Sequence, residues 1–145
     1  MTQFRHKALI MHNLILVDVE DPKDFIIMGN ELHRFILSSD FYPTGPTVYR
    51  LSATGKYQIG MCINDIADCE KQEGMAFYRL VEFKDCLTFR HAYEEDPIED
   101  SRELLKLYVR EKGLQPYDKS FYHILLTSYG NTITDIYYPL QRGGR

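Results

Sequence analysis

Two short segments, Asp21-Pro22-Lys23-Asp24 and Asp96-Pro97-Ile98-Glu99, lie 75 positions apart and set the plan of the chain. In each, Asp at a helix N-cap position is followed by Pro at the first helical position and by an acidic residue at the third. These residue types favour the positive end of a helix dipole. Each segment therefore predicts the start of a helix.

A second match occurs at the same offset of 75 positions. It pairs Leu51-Ser52-Ala53-Thr54-Gly55-Lys56-Tyr57 with Leu126-Thr127-Ser128-Tyr129-Gly130-Asn131-Thr132. Both stretches have the pattern of strand, glycine-containing turn and strand that is typical of a hairpin. Two matches at one offset predict a repeat of architecture, because few side chains are identical between the halves.

Apolar periodicity extends the first half in both directions from its helix start. It predicts strands over 7–20, 47–52 and 57–63 and a helix over 22–39. The residues expected on the apolar face of this helix are Phe25, Met28, Leu32 and Phe35 or Ile36.

The second half reads in the same order. Its predicted strands cover 86–93, 120–126 and 132–140, with a weaker strand over 77–83. The predicted helix runs over 97–112, with Gly113 placed as its C-terminal cap. Its inward residues are expected to be Ile98, Leu104, Leu105, Tyr108 and Val109.

Together these elements predict an α+β fold in a single domain over 1–145. The two pseudo-symmetric strand-helix-strand-strand repeats are expected at about 7–64 and about 77–140. We expect their strands to form one antiparallel sheet with both helices on one face.

Composition narrows the function classes. The chain has 145 residues, 44% apolar and 26% charged, which is ordinary for a globular protein. Its net charge of −4 lacks the positive field that nucleic-acid binding needs, and no helix-turn-helix pattern precedes the first strand. We therefore expect no direct DNA binding. The 11 Tyr residues are the compositional excess, and Tyr suits a surface that contacts a ligand.

The cysteines and histidines indicate neither a disulfide framework nor a metal site. Cys62, Cys69 and Cys86 are odd in number and form no C-x-x-C pair, and the five His show no i, i+4 pairing. We expect free thiols, a cytoplasmic location and no cofactor. The apolar run Ala8–Val19 is too short and too polar for a membrane span, so no membrane partner is expected.

The order of elements, the helix end Lys112-Gly113-Leu114 and the closing strand Ile133-Thr134-Asp135-Ile136-Tyr137-Tyr138-Pro139-Leu140 resemble the gyrase-inhibitor-like (GyrI-like) family, also called AraC-type effector-binding domains. The chain is similar to stand-alone, uncharacterised Gram-positive members, some of which we associate with secretion gene neighbourhoods. The resemblance implies a pseudo-two-fold between the halves and a groove that binds lipophilic or cationic small molecules. A few members hydrolyse their ligands.

One departure from the family bears on the ligand. Members that bind cations carry an acidic residue on the strand after the second helix, which corresponds here to Ser120-Phe121-Tyr122-His123-Ile124. This stretch has no carboxylate. Cation sensing and Glu-dependent hydrolysis are both disfavoured by that difference.

Aromatic residues on the predicted strands are the candidate lining of the groove. The candidate ligand-binding residues are Tyr49, Tyr57, Tyr93, Tyr122, His123 and Tyr137. The alternative is that the tyrosines only reflect strand preference and that His123 is a satisfied structural histidine. No catalytic residue is predicted, because a cysteine on a buried strand usually acts as a small hydrophobe.

The leading hypothesis is a non-enzymatic module that holds a hydrophobic small molecule between the repeats. An adaptor that binds a protein partner is the alternative, and a small-molecule hydrolase ranks last. The sequence leaves the oligomeric state open, a homodimer included.

Overall fold

The computed structural model describes residues 3–68, 72–92, 97–128 and 131–141. Each half of the chain contributes a strand, a helix and two strands. The elements are β1 (Arg5–Val19), α1 (Phe25–Ser38), β2 (Val48–Leu51), β3 (Tyr57–Cys62), β4 (Met75–His91), α2 (Ile98–Glu111), β5 (Phe121–Ser128) and β6 (Asn131–Pro139). Neither described helix is long and apolar enough to cross a membrane.

The six strands form a closed antiparallel barrel in the order β1-β3-β2-β5-β6-β4, with β4 returning to β1. The prediction of one antiparallel sheet is confirmed, but this sheet closes into a barrel, which the sequence pattern did not predict. The barrel closes because β1 and β4 pair along most of their lengths, from Arg5–Thr88 to Val17–Met75. In an open sheet these two long strands would lie at the edges with unpaired backbone groups.

The weaker strand predicted over 77–83 and the strand predicted over 86–93 are one continuous element, β4. The sequence pattern separates them because apolar alternation breaks near Lys84 and Asp85. Backbone pairing with β1 continues through most of this region, although the register shifts between Lys7 and Leu9. A bulge of this kind adds local twist, which assists closure.

Apolar side chains separate the two faces of the barrel wall. One cluster takes residues from all six strands and none from a helix, and it fills the barrel interior. Its fully buried members include Leu14 and Cys86. Residues of the opposite parity, such as Ile15 and Leu87, face outward and pack under the helices. Both helices therefore lie on the outer face of the barrel.

The predicted helix signals are largely confirmed. The Asp21 side chain accepts a hydrogen bond from Lys23 N at 3.0 Å, and Pro22–Asp24 forms a short 3₁₀ turn before α1. Gly113 ends α2 with φ +66°, the left-handed conformation that favours glycine. The counterpart of Asp21, Asp96, lies outside the described residues. The placement of Pro97 at the first helical position is wrong, because Pro97 has an extended backbone and is the N-cap of α2.

The inward face of α2 differs from the prediction at two positions. Leu105 and Val109 are buried as expected, whereas Leu104 is exposed and Arg102 is buried. The inward stripe is thus Ile98, Arg102, Leu105 and Val109, and it follows helical spacing with a cation in the second place.

Candidate functional site

The groove between the helices is floored by the two central strands, β2 and β5. Their register places three residue pairs one after another on the outer face. In order from the β2–β3 turn, these pairs are Leu51–Phe121, Tyr49–His123 and Thr47–Leu125.

The middle of this floor is an aromatic stack. The Tyr49 and His123 rings lie parallel, with centroids 4.0 Å apart and an interplanar angle of 8°. Phe25 from α1 covers Tyr49 at a centroid distance of 4.8 Å. His123 is completely buried.

Arg102 of α2 reaches the stack from the opposite side. Its Nη1 donates to His123 Nε2 at 3.0 Å, and His123 Nδ1 donates to the Tyr49 carbonyl oxygen at 3.1 Å. The guanidinium can only donate and the carbonyl can only accept, so His123 is neutral with its proton on Nδ1. We call Phe25, Tyr49, Arg102 and His123 the central plug.

The Tyr49 and His123 side chains both stay uncharged near neutral pH. Burial, assisted by the charge of Arg102, lowers the pKa of His123 from 6.5 to about 3. Burial raises the pKa of the Tyr49 hydroxyl to about 12, although the nearby Arg102 acts in the opposite direction. The only carboxylate paired with Arg102 among the described residues is that of Glu99, at 3.6 Å and largely exposed.

Because the plug fills the middle of the groove, cavities remain on its two sides. The first, which we call the turn-side pocket, has a volume of about 550 Å³ and lies over the Leu51–Phe121 pair. It is lined by α2, the β2–β3 turn and the segment before β5. The second, with a volume of about 670 Å³, lies beside α1 over Leu125.

A third cavity of about 700 Å³ lies away from the groove, beside β4 and the first turns of α2. Charges of both signs line it, including the Arg90–Asp135 ion pair, in which Nε lies 2.6 Å from the carboxylate. His91 Nδ1 and Ser101 Oγ, 2.9 Å apart, are also part of its lining.

The structure brings only some of the predicted ligand-binding residues together. Tyr49 and His123 belong to the plug, and Tyr57 packs edge-on against Phe25 at 5.4 Å. Tyr122 and Tyr137 belong to the cluster that fills the barrel interior, on the other face. Tyr93 lies outside the described residues.

Tyr122 takes part in a polar network centred on Arg50 at one end of the barrel interior. Arg50 Nε donates to the Tyr122 hydroxyl at 3.2 Å, and Nη2 donates to Ser120 Oγ at 2.7 Å and to Asp118 Oδ2 at 3.2 Å. Nη1 donates to Gln58 Oε1 at 3.3 Å. This network gives Tyr122 a structural role.

Sequence reasoning missed both arginines. Arg102 could have been found, because it occupies an inward position of the α2 stripe between Ile98 and Leu105. Arg50 follows Tyr49 on β2, so alternation alone places it on the other face. Among the residues that the structure describes, no three His, Cys, Asp or Glu side chains converge on a metal site.

No family model matches the chain, and no curated protein matches it. Solved structures do share the fold. SAV2435 bound to tetraphenylphosphonium is 10% identical and aligns over 98% of this chain and 94% of its own, with a TM-score of 0.51. A hydrolase encoded by lin2189 from Listeria innocua is 9% identical over 94% and 92% of the two chains, with a TM-score of 0.55.

A second structure, described as a hydrolase from Listeria innocua, is 11% identical over 94% of this chain and 92% of its own, with a TM-score of 0.53. At these identities the likenesses show a shared fold and nothing further.

Proposed function

We propose that this chain is a non-enzymatic small-molecule-binding module of the gyrase-inhibitor-like type. In this proposal the ligand occupies the turn-side pocket of the groove between the two halves. The observation that carries the proposal is a cavity of about 550 Å³ with an aromatic floor beside a filled groove centre. This volume lies in the range typical of ligand pockets, roughly 300 to 1,000 Å³.

The pocket floor is suited to a flat apolar ligand. Phe121 and Tyr138 stack against each other with centroids 4.5 Å apart, and Val109 and Leu114 add aliphatic walls. The fold neighbour bound to tetraphenylphosphonium supports binding of a lipophilic molecule by this fold.

The plug supports the choice of one pocket over the whole groove. Tyr49 and His123 are held by stacking and by Arg102, so they form a fixed wall between the two cavities. Tyr49 and His123 would then act by limiting the extent of the pocket, because both are buried and neither belongs to its lining.

A matched pair of variants tests the location. Ala53→Phe places a ring at the exposed rim of the turn-side pocket, and Asn30→Phe does the same at the cavity beside α1. Thermal-shift screening with flat aromatic compounds should find ligands that stabilise the natural chain and Asn30→Phe. Ala53→Phe should lose that stabilisation. Stabilisation by no compound, or loss only in Asn30→Phe, would contradict the proposal.

A docking role for α1 is a second candidate, and one observation favours it. Ile26 and Ile27 are adjacent and are 79% and 61% exposed. They form an apolar patch on the solvent-facing side of α1, and such patches often mark interaction sites. Under this adaptor hypothesis, Ile26→Glu/Ile27→Glu should abolish recovery of a stoichiometric protein partner in a pull-down from the native host. It should leave the aromatic-compound thermal shifts unchanged.

Two fold neighbours described as hydrolases favour the hydrolase alternative. The plug, however, offers no general base for such a reaction. The lone pair of His123 already accepts a hydrogen bond from Arg102, and a pKa of about 3 makes the ring a weak base. We expect no turnover of ester or epoxide substrates above that of the His123→Gln variant. Turnover that this substitution abolishes would restore the hydrolase alternative.

A further inference from the structure

The rim of the turn-side pocket concentrates positive charge. Lys106 and Arg110 of α2 and Lys119 of the segment before β5 all belong to its lining. No Asp or Glu is among the twelve described residues that line it. This local excess runs against the net charge of −4 for the whole chain.

These three cations are largely available to a ligand. Lys106 Nζ lies 3.4 Å from Glu103 Oε1, but both side chains are more than 40% exposed, so the pair is weak. The same Nζ lies 5.9 Å from the centroid of Phe121, above the pocket floor. Among the described residues, no ion pair joins Arg110 or Lys119 to a carboxylate.

The carboxylate next to Lys119 is engaged elsewhere. Asp118 Oδ1 accepts from the backbone N–H of Ser120 at 3.0 Å, and Oδ2 accepts from Arg50 at 3.2 Å. Both contacts belong to the network on the interior face of the barrel wall. The turn at Lys119 has φ +60° and separates this network from the pocket lining.

We infer that the turn-side pocket selects organic anions, namely a carboxylate or sulfonate attached to a flat apolar body. The inference rests on the proposed function and names its ligand class. The apolar body lies on Phe121 and Tyr138, and the anionic group lies at the rim among the three cations. Charge-assisted hydrogen bonds to a ligand anion are stronger than neutral ones, so the rim favours an anion over its neutral analogue. The selectivity is opposite in sign to the cation tetraphenylphosphonium that SAV2435 holds.

Three probes that share one naphthyl ring system test the sign of the selectivity. Binding of 2-naphthoate, 2-naphthalenemethanol and (2-naphthylmethyl)trimethylammonium to the full chain is measured by calorimetry at fixed ionic strength. Naphthoate should bind about tenfold more tightly than the alcohol, and the ammonium probe should bind most weakly. Binding of the alcohol or the ammonium probe as tightly as naphthoate would overturn the inference while leaving the proposed function intact. Binding of none of the three would overturn both.

Matched charge variants test the site. Lys106→Gln and Lys119→Gln should each weaken naphthoate binding by about three- to tenfold and leave binding of the alcohol unchanged. Lys112→Gln is the control. This substitution removes the same charge, but Lys112 follows α2 and does not line the pocket. Equal weakening by all three substitutions would reduce the effect to net charge and overturn the inference.

Discussion

Arg102 and Arg50 are two arginines held on opposite faces of the same barrel wall, and they are stabilised differently. The Arg50 side chain is 22% exposed and binds a carboxylate, two hydroxyl groups and an amide oxygen. The Arg102 side chain is 7% exposed and donates a hydrogen bond to the neutral His123 ring at 3.0 Å. Arg50 is therefore paired with a carboxylate inside its network. The Glu99 carboxylate near Arg102 is 3.6 Å away and largely exposed, so Arg102 depends more on a histidine that stays unprotonated.

The comparison teaches where the plug is vulnerable. A buried ion that loses its partner costs more than the pair contributes when intact. In the Arg50 network, several partners share the charge. In the plug, His123 links Arg102 to the backbone of β2, so one side chain controls both the charge and the stack.

The largest effect is expected from His123→Leu. This substitution removes the acceptor for Arg102 Nη1 and the donor to the Tyr49 carbonyl, and it ends the ring stack. The free energy of unfolding should fall by about 3 to 4 kcal/mol. Urea unfolding measures it, with His33→Leu on the exposed face of α1 as a control. A loss below 1 kcal/mol would show that Arg102 does not depend on His123.

Arg50→Met should cost less, about 2 to 3 kcal/mol in the same measurement, because Asp118 can still reach solvent. Arg34→Met, at an exposed i, i+3 pair with Glu31, is the matched control and should change stability by less than about 0.5 kcal/mol. Equal effects of the two substitutions would mean that the Arg50 network is dispensable.

Acidification should weaken the plug selectively. The pKa of His123 is lowered in the folded state, so the unfolded chain binds more protons between about pH 3 and 6.5. Stability is therefore complete above pH 6.5 and falls as the pH drops, with a slope of up to about 1.4 kcal/mol per pH unit from this group. His123→Gln should show a shallower loss between pH 6.5 and 5. Parallel curves would contradict the lowered pKa.

Among the substitutions in the plug and the Arg50 network, the smallest effect is expected from Arg102→Met, about 1 kcal/mol or less. It removes a buried charge together with its desolvation cost and leaves only the Nε2 acceptor of His123 unpaired. The double variant His123→Leu/Arg102→Met should be more stable than His123→Leu alone, because it has no buried guanidinium that lacks its acceptor. A double variant that is less stable would indicate that His123→Leu acts through packing only.

The local structure of this chain could be predicted from short-range rules. The Asp21 cap, the Gly113 helix end and the strand order along the chain depend on residues close in sequence. Closure of the barrel could not be predicted in this way, since it depends on pairing between β1 and β4 from different halves. The alternation of apolar and polar residues in β1 or β4 does not indicate which strand each will pair with.

The site was only partly predictable. Tyr122 and His123 are neighbours on β5, and neighbours on a strand point to opposite faces. The two residues could therefore never have lined one groove, and the sequence alone was sufficient to reject that combination. The buried position of Arg102 was hidden by the usual assumption that arginine on a helix is solvated, although its spacing matches the inward stripe.

The pairing of β1 with β4 has a consequence for the order in which the chain folds. Arg5 pairs with Thr88, and Leu9 pairs with Phe83, so β1 cannot complete its pairing until β4 has been synthesised. On a ribosome that adds roughly 5 to 20 residues per second, the amino-terminal part of β1 stays unpaired for several seconds. Contacts of this sequence separation also slow folding in free solution. The amino-terminal part of β1 therefore lacks its neighbouring strand until β4 has been synthesised, and early release from the ribosome would leave an apolar strand open to aggregation.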